Sequence, residues 1–361
     1  MKLKNLALLS MALLMTTALA LGCAAPAPQT VEKVVTSAPI EKVITSAPVE
    51  KVVEKVVTSA PVEKTVVVTS APKARYTIGV MLNSMQHPYI TAEVQSVRSE
   101  CASMNLNCIE LDAQFDAAKQ AKQVEDLIAR KVDGILFFPV DVGAVKPLLK
   151  KINDAKIPVV SYGNRVLDED LPLVNAVAGE DSNFEGQQVA RMLAKDFSDK
   201  AAKIVVIEGQ AGGWVATQRS KGFEDTIKQI APKVQILAKQ PADWNRAKAL
   251  KIMEDYLTRY PAIDAVYAHD DDMAMGAVEA IKAAGLTSKV KVYGIGGMGE
   301  FMKLLKTGQV AGTVMQSPVQ FGTLPVRVMN DILVGRNVQK FNYIDMPMVT
   351  KDNVDQFKPE W

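Results

Sequence analysis

Histidine and cysteine are scarce in this chain of 361 residues, which contains two histidines and three cysteines. Such small numbers argue against a transition-metal site with the usual spacing of several ligands. Net charge is nearly absent as well, because 42 basic residues face 40 acidic ones and leave a formal charge of +2. The chain therefore lacks a global field that would draw it to nucleic acid. We expect no metal, no cofactor and no nucleic-acid partner.

A long apolar run occurs only at the start of the chain. Two lysines precede an apolar segment over residues 6–21, and Gly22-Cys23 follows it. A basic start and an apolar run of about 15 residues are typical of a secretory signal rather than a membrane-spanning helix. Residues 20–23, Ala-Leu-Gly-Cys, resemble a bacterial lipobox, which predicts a signal peptide over 1–23 and a lipid anchor on Cys23. The alternative is general signal-peptidase cleavage near residue 20, with Cys23 a thiol of no role.

Residues 24–73 consist of a proline-punctuated repeat. The phrase Glu-Lys-Val-Val-Thr-Ser-Ala-Pro occurs over 32–39, with one change over 41–48, and again over 54–61. Regular prolines and the absence of aromatic residues favour an extended, solvated linker. It is either a stalk or a spacer with no length requirement. We therefore expect an exported protein in the periplasm or on the outer face of the cytoplasmic membrane, held by its lipid anchor.

From residue 76 onward, short apolar runs alternate with amphipathic segments such as 92–104, 118–130 and 247–260. Apolar strands separated by helices of about 10–15 residues indicate parallel βαβ units with both sheet faces covered. The predicted strands are Tyr76–Met81, Cys108–Leu111, Gly134–Phe138, Pro158–Ser161, Asn175–Ala178, Lys203–Glu208, Gln235–Ala238, Ala265–Ala268, Lys291–Gly294 and Gly312–Met315.

These strands are too many for one comfortable open sheet, and they divide into two halves near residues 179–183. We therefore predict an α/β fold of two doubly wound parallel-sheet lobes, with a hinge and a ligand cleft between them. The N-terminal lobe is placed at 74–180 plus 317–345, and the C-terminal lobe at 181–316 plus 346–361.

Ligands of such sheets bind beyond the carboxyl ends of the strands. The residues that follow the apolar runs are polar and aromatic, with few aliphatic side chains, which suits a sugar-sized pocket. Six of these loops, in order, resemble those of the periplasmic ribose/galactose-type binding proteins, the solute receptors of carbohydrate ABC importers. The resemblance runs from residue 76 to about 350 and rests on the segments 83–89, 164–165, 218–223, 240–246, 269–276 and 316–318.

The resemblance implies a non-enzymatic receptor that binds a monosaccharide or related polyol and delivers it to an ABC permease by hinged closure. It also implies that both lobes contribute ligand contacts. Sugar hydroxyls suit the planar groups of Arg, Asn, Asp and Gln, and the C–H face of a sugar packs on aromatic rings. The residues carried over are Asn83, His87, Tyr89, Asn164, Arg165, Arg219, Trp244, Asp270 and Gln316.

Two carboxylates typical of ribose receptors are missing, because Asn164 and Gly296 stand at their positions. Ribose itself is therefore a poor candidate. A larger or differently substituted ligand, such as a linear polyol or a modified sugar, can use the space above Gly296 and Gly297.

Several of these residues allow another interpretation. Arg165 and Arg219 can clamp a carboxylate or phosphate as well as hydroxyls. His87 can be an exposed loop residue, and Trp244 can belong to the core. The spacing Gly294-x-Gly296-x-x-Gly299 matches a dinucleotide fingerprint, but Gln316 stands where an acidic residue is required, so a tight turn is favoured.

Two further side-chain groups leave alternatives open. The three aspartates 270–272 lack the alternation of a calcium loop, so we expect at least one of them to cap a helix. Cys101 and Cys108 either form a disulfide across a helix–strand turn or remain buried thiols.

At the level of function, a lactose-repressor-type regulator is disfavoured, because a signal segment and a proline-rich repeat stand where the DNA-binding helices would be. A receptor for a nucleoside, an autoinducer-like molecule or an acidic sugar remains an alternative, as does a sensor that feeds a chemoreceptor. We expect the protein to be a monomer.

Overall fold

The computed structural model describes residues 75–197 and 200–361. The predicted signal peptide 1–23 with Cys23 and the predicted linker 24–73 lie outside the described residues. Among the residues that are described, no helix combines the length and the hydropathy needed to cross a membrane.

The described residues form twelve strands and nine α-helices, which alternate along most of the chain. The strands are β1 (Tyr76–Leu82), β2 (Leu106–Asp112), β3 (Gly134–Phe137), β4 (Val159–Tyr162), β5 (Ala176–Gly179), β6 (Ala202–Glu208), β7 (Val234–Pro241), β8 (Ala265–Ala268), β9 (Lys291–Gly296), β10 (Gly312–Met315), β11 (Phe341–Tyr343) and β12 (Met348–Thr350). The helices are α1 (Pro88–Ser103), α2 (Ala117–Ala129), α3 (Lys146–Asp154), α4 (Ser182–Phe197), α5 (Trp214–Ile230), α6 (Arg246–Arg259), α7 (Asp271–Ala283), α8 (Gly299–Thr307) and α9 (Pro318–Leu333). Two short 3-10 helices span Asp168–Leu173 and Val354–Gln356.

The strands divide into two six-stranded sheets, which define two lobes. The first sheet has the order β11-β5-β4-β3-β1-β2, and all its strand pairs are parallel. The second has the order β12-β10-β9-β8-β6-β7, and only its edge strand β12 runs antiparallel. The predicted fold of two parallel-sheet lobes is confirmed.

The chain crosses between the two sheets three times, after β5, after β10 and after β11. Backbone hydrogen bonds join the crossing after β11 to the ends of β5 and β10, from Ile344 N–H to the Gly179 carbonyl (2.9 Å) and from Met315 N–H to the Pro347 carbonyl (2.9 Å). Because only three chain segments connect the two sheets, the lobes can move relative to one another as at a hinge. The carboxyl ends of both sheets lie next to these crossings.

The central strands are buried on both faces, as their continuous apolar sequences require. In β3, β4, β5, β8 and β10 every residue is buried. Helix α1 packs on α9 in the first lobe, and α4 packs on α5 in the second. Cys101 at the end of α1 and Cys108 in β2, which the sequence left open between a disulfide and free thiols, form a disulfide bond in the structure.

Candidate functional site

A cavity of about 480 Å³ lies between the two lobes, beyond the carboxyl ends of both sheets. Its size falls within the range of roughly 300–1,000 Å³ that is common for small-molecule sites. Eight of the nine ligand residues expected from the sequence line it: Asn83, His87, Tyr89, Asn164, Arg219, Trp244, Asp270 and Gln316. Both lobes contribute, which is the arrangement expected of a cleft that closes on a ligand.

Arg165 is the expected site residue that the structure does not bring to this cavity. Its guanidinium carbon lies 4.9 Å from the ring centre of Trp214 and 5.6 Å from that of Phe341, and its Nη2 donates to Asp168. Stacking on two rings and pairing with a carboxylate occupy the planar group. Arg165 therefore forms a contact between the lobes, since Trp214 begins α5 of the second lobe, and its expected role in ligand binding stays a prediction.

His87 and Asp270 meet across the cleft, with 3.4 Å between Nε2 and Oδ2. Each also caps a helix: His87 Nδ1 accepts the Tyr89 N–H (3.2 Å) at the start of α1, and Asp270 Oδ1 accepts the Met273 N–H (2.7 Å) at the start of α7. The predicted cap among the three aspartates is thus confirmed at Asp270. Burial lowers the pKa of His87, but the hydrogen bond and the charge of Asp270 outweigh it, so that this pKa lies above its ordinary value.

Arg219 is buried at the side of the cavity that belongs to the second lobe. Its Nε and Nη2 both lie 2.8 Å from Glu185 Oε2, while Nη1 donates to the His269 carbonyl (2.5 Å) and Nη2 reaches Gln316 Oε1 at 3.4 Å. Burial lowers the pKa of Arg219, but the charge and hydrogen bond of Glu185 help to raise it, so that this pKa lies above its ordinary value. The guanidinium is held in one orientation by its partners, and Glu185 compensates its charge.

Trp244 lies in a sharp turn, where it and Asp243 both adopt left-handed backbone conformations (φ 58° and 53°). Its ring packs directly over Gly209, and a Cβ at that glycine would lie 2.1 Å from the indole carbons. The Arg219 guanidinium lies 5.8 Å from the ring centre. Of the two interpretations of Trp244, core residue or wall of the cavity, the structure supports the wall.

Sequence reasoning missed several residues that line the cavity. Glu180 directly follows β5, so the rule that pointed to the other strand ends also applies to it. Phe138 follows β3 in the same way, whereas Phe321 on α9 gives no local signal. With Tyr89 these rings form an aromatic floor, in which the Phe321 centroid lies 5.6 Å from Tyr89 and 6.3 Å from Phe138.

Besides His87 Nε2, which faces Asp270 Oδ2 at 3.4 Å, two polar atoms of the lining residues have no hydrogen-bond partner among the described residues, the Tyr89 hydroxyl and Glu180 Oε2. Burial and the neighbouring Glu185 carboxylate raise the pKa of Glu180. A buried polar group without a partner is costly, and a ligand that bears hydroxyls removes that cost. The cavity is thus prepared for a polar ligand rather than for an apolar one.

The glycine-rich turn after β9 is built around Asp271. This buried carboxylate accepts the N–H groups of Gly297 (2.7 Å) and Met298 (2.8 Å) and the hydroxyl of Thr313 (2.8 Å). In a dinucleotide site such N–H groups would face a pyrophosphate. Because Asp271 occupies them, the favoured interpretation as a tight turn holds.

The space above Gly296, which the sequence left for a larger ligand, is filled by the indole of Trp361. A Cβ at Gly296 would lie 2.7 Å from Trp361 Cζ2. That expectation is therefore wrong, because the side chain of Trp361 occupies the space above Gly296. Nothing in the local sequence pattern signals this contact.

A serine, a histidine and a glutamate meet near the cavity. The Ser220 hydroxyl donates to Glu208 and lies 3.3 Å from His269 Nε2. His269 Nδ1 accepts the Gly209 N–H (3.2 Å), and burial lowers the pKa of this histidine, so its single proton resides on Nε2. The imidazole therefore has no lone pair with which to take the serine proton, and the trio is not an activated nucleophile.

No group of three or more metal-ligating side chains occurs within residues 75–197 and 200–361.

Comparison with known proteins was consistent with this architecture. Residues 78–337 match the family model described as a periplasmic binding protein domain. The chain is 32% identical over 287 residues to the ribose import binding protein of Salmonella typhimurium, covering 80% of this chain and 95% of the relative. It is 33% identical over 271 residues to the ribose import binding protein of Bacillus subtilis, covering 75% and 86%.

Among solved structures, an ABC transporter solute binding protein from Bacillus halodurans with bound myo-inositol superposes with a TM-score of 0.74 at 26% identity. The match covers 81% of this chain and all of the other. The two parallel-sheet lobes, the cavity between them and the extent of these matches together identify the chain as a member of the periplasmic binding protein family, the extracytoplasmic solute receptors of ABC importers.

Proposed function

We propose that this protein is a receptor for a neutral monosaccharide or a related polyol, which it delivers to an ABC importer. The observation that carries the proposal is the cavity between the lobes, where planar polar groups of both lobes surround an aromatic floor. Relatives named for ribose import and a similar structure that holds myo-inositol support the same ligand class.

The charges around the cavity favour a neutral ligand over an acidic one. Four carboxyl groups line it, those of Glu180, Asp243, Asp270 and Asp272, against two guanidinium groups. Both guanidinium groups are already paired: Arg219 with Glu185, and Arg246 with Asp272 (2.9 Å) and Glu300 (2.9 Å). An anionic ligand would have to enter a site in which both guanidinium groups and His87 already face carboxylates, and a buried charge without a partner is costly.

Binding would proceed by closure of the hinge. A ligand first contacts one lobe, and contacts from the other lobe become available only when the cleft narrows, so ligand shifts the population toward the closed form. The pairs His87–Asp270 and Arg165–Trp214 link the two lobes in the structure and support such a closed form. The permease would then recognise the closed surface.

The remaining parts of the proposal concern the surroundings of the receptor. We place it outside the cytoplasmic membrane, tethered through Cys23, with the 24–73 repeat as its linker. It acts as a monomer, performs no chemistry on its ligand and can also report ligand to a chemoreceptor.

A thermal-shift screen of the purified protein tests the ligand class. The panel contains pentoses, hexoses, polyols, nucleosides and uronic acids. At 100 times its dissociation constant a ligand adds about 2.7 kcal/mol to the free energy of unfolding, which raises the melting temperature by several degrees. A response confined to neutral sugars or polyols is expected. A response confined to nucleosides or uronic acids would overturn the ligand class while leaving the receptor fold intact.

A further inference from the structure

β6, β8 and β10 of the second sheet are each followed by a side chain that lines the cavity, whereas β9 is followed by a glycine. Gln210 follows β6, Asp270 follows β8 and Gln316 follows β10, and all three line the cavity. β9 contributes Ile295 to the lining, but it ends at Gly296 and is followed by Gly297, so no side chain extends beyond its end. Trp361 lies there instead and completes the lining.

Hydrogen bonds at both ends of the residue hold Trp361 in this place. The indole Nε1–H donates to the Gly296 carbonyl (3.2 Å), and the Trp361 carbonyl accepts the Gly299 N–H (2.8 Å) at the start of α8. Gly296 adopts φ 141°, a conformation that favours glycine, and its missing Cβ makes room for the ring. The turn after β9 is therefore shaped to receive this side chain.

The same segment also contacts the first lobe. The Trp361 ring centre lies 5.8 Å from that of His87 and 5.5 Å from that of Tyr89, both at the start of α1. The preceding Glu360 accepts the Ser317 hydroxyl and the Val319 N–H (3.4 Å) at the start of α9, where the helix dipole favours a carboxylate. The indole is thus fixed on the second lobe and meets the first lobe at the cavity.

From this geometry we propose that Trp361 is a ligand-contacting, specificity-determining residue. Its indole offers an apolar wall to the C–H face of a bound sugar and limits the cavity on the β9 side to ligands of monosaccharide size. The inference deepens the proposed function and rests on it for the class of ligand, but the location of the ring between the lobes is tested separately below.

The first test measures affinity. D-Ribose, xylitol and myo-inositol are titrated calorimetrically into the wild-type protein, Trp361→Ala and Trp361→Phe. Tyr343→Ala, which removes an aromatic ring 44% exposed on the edge strand β11, is the matched control. Trp361→Ala should bind the responding probe about 5- to 30-fold more weakly, the usual range for a buried aromatic contact. Trp361→Phe and the control should stay within about threefold of the wild-type protein.

Other outcomes of the titration overturn the proposal. Unchanged affinity of Trp361→Ala, with a lower melting temperature, would show that the ring stabilises the fold without contacting the ligand. Tighter binding by Trp361→Ala would show that the Trp361 ring occupies space that the ligand needs and must be displaced before the ligand binds.

The second test needs no ligand. The chain has three tryptophans, and the difference between the emission of the wild-type protein and that of Trp361→Phe isolates Trp361. A protonated imidazole quenches a neighbouring indole, so this component should dim as His87, which faces Asp270, Asp272 and Arg219, becomes protonated at falling pH. His87→Ala should abolish the pH dependence.

The two tests distinguish an error in the proposed ligand class from an error in the position of the Trp361 ring. If no probe binds but the His87-dependent quenching is present, the proposed ligand class is wrong, whereas the Trp361 ring does lie against the first lobe at the cavity. If the pH profile of Trp361 is the same in His87→Ala, the ring does not lie against the first lobe and the inference is overturned.

Discussion

Glu93 offers a quantitative test of how burial changes the titration of a carboxyl group in the first lobe. It lies on α1 with no exposed surface. Burial raises its pKa to about 8, although the neighbouring Tyr162 hydroxyl lowers it. We predict that the free energy of unfolding of Glu93→Gln changes much less between pH 5 and pH 9 than that of the wild-type protein.

The sign follows from proton binding. Between the unfolded pKa of 4.5 and the folded pKa of about 8, the folded state holds a proton that the unfolded state has lost. The stability that this group contributes is therefore fully present below 4.5 and is lost as the pH rises to about 8. At about 1.4 kcal/mol per pKa unit, the loss between pH 5 and pH 9 amounts to about 4 kcal/mol, or roughly 6–10 °C in melting temperature.

Glutamine has the shape of the protonated acid and does not titrate, so the variant should lack this loss. Melting curves by circular dichroism at pH 5, 7 and 9 would measure it. The variant should match the wild-type protein at pH 5 and exceed it at pH 9. Glu100→Gln on the same helix is the control, since a pair with the exposed Arg327 is worth at most about 1 kcal/mol. An equal loss of stability in Glu93→Gln and the wild-type protein would refute the reasoning.

Three other changes test the site and its support. Arg219→Ala should abolish measurable ligand binding and destabilise the protein by about 3–5 kcal/mol in urea unfolding, because it leaves a buried carboxylate unpaired; undiminished affinity would remove Arg219 from the site. Gly209→Ala should push the Trp244 ring out of place and weaken ligand binding at least about tenfold in calorimetry, since the free energy of a stacked aromatic contact is lost; wild-type affinity would show that this ring does not contact ligand. Alkylation without reductant should leave Cys101 and Cys108 unlabelled by mass spectrometry, and their replacement by serine should cost about 2 kcal/mol of stability, as expected for a short closed loop; two labelled cysteines would exclude the disulfide.

Much of the fold was predictable because buried parallel strands are apolar throughout. Each of the ten predicted strands has a counterpart in the structure, and the predicted helix 92–104 corresponds to α1, although it begins earlier, at Pro88. β11 and β12 were missed. Each has only three residues, lies at a sheet edge and includes exposed side chains, so neither produces an apolar run.

The site was predictable where it follows strand ends and unpredictable where it depends on long-range packing. Asp270 and Gln316 come directly after apolar runs, and the sequence therefore points to them. Arg165 also follows a strand, but its guanidinium is drawn to Trp214 and Phe341, a contact between distant segments. Trp361 reaches the cavity only because Gly296 leaves room for it, and such complementarity cannot be read from either residue alone.

The most direct test of the receptor function is a calorimetric titration of the purified protein with each neutral sugar beside its uronic acid. The paired arginines and the surplus of carboxyl groups in the cavity predict one site per chain for a neutral sugar or polyol, with the corresponding acid bound at least about tenfold more weakly. Tighter binding of the acid, or binding of a nucleoside with no response to any neutral sugar, would contradict the assignment.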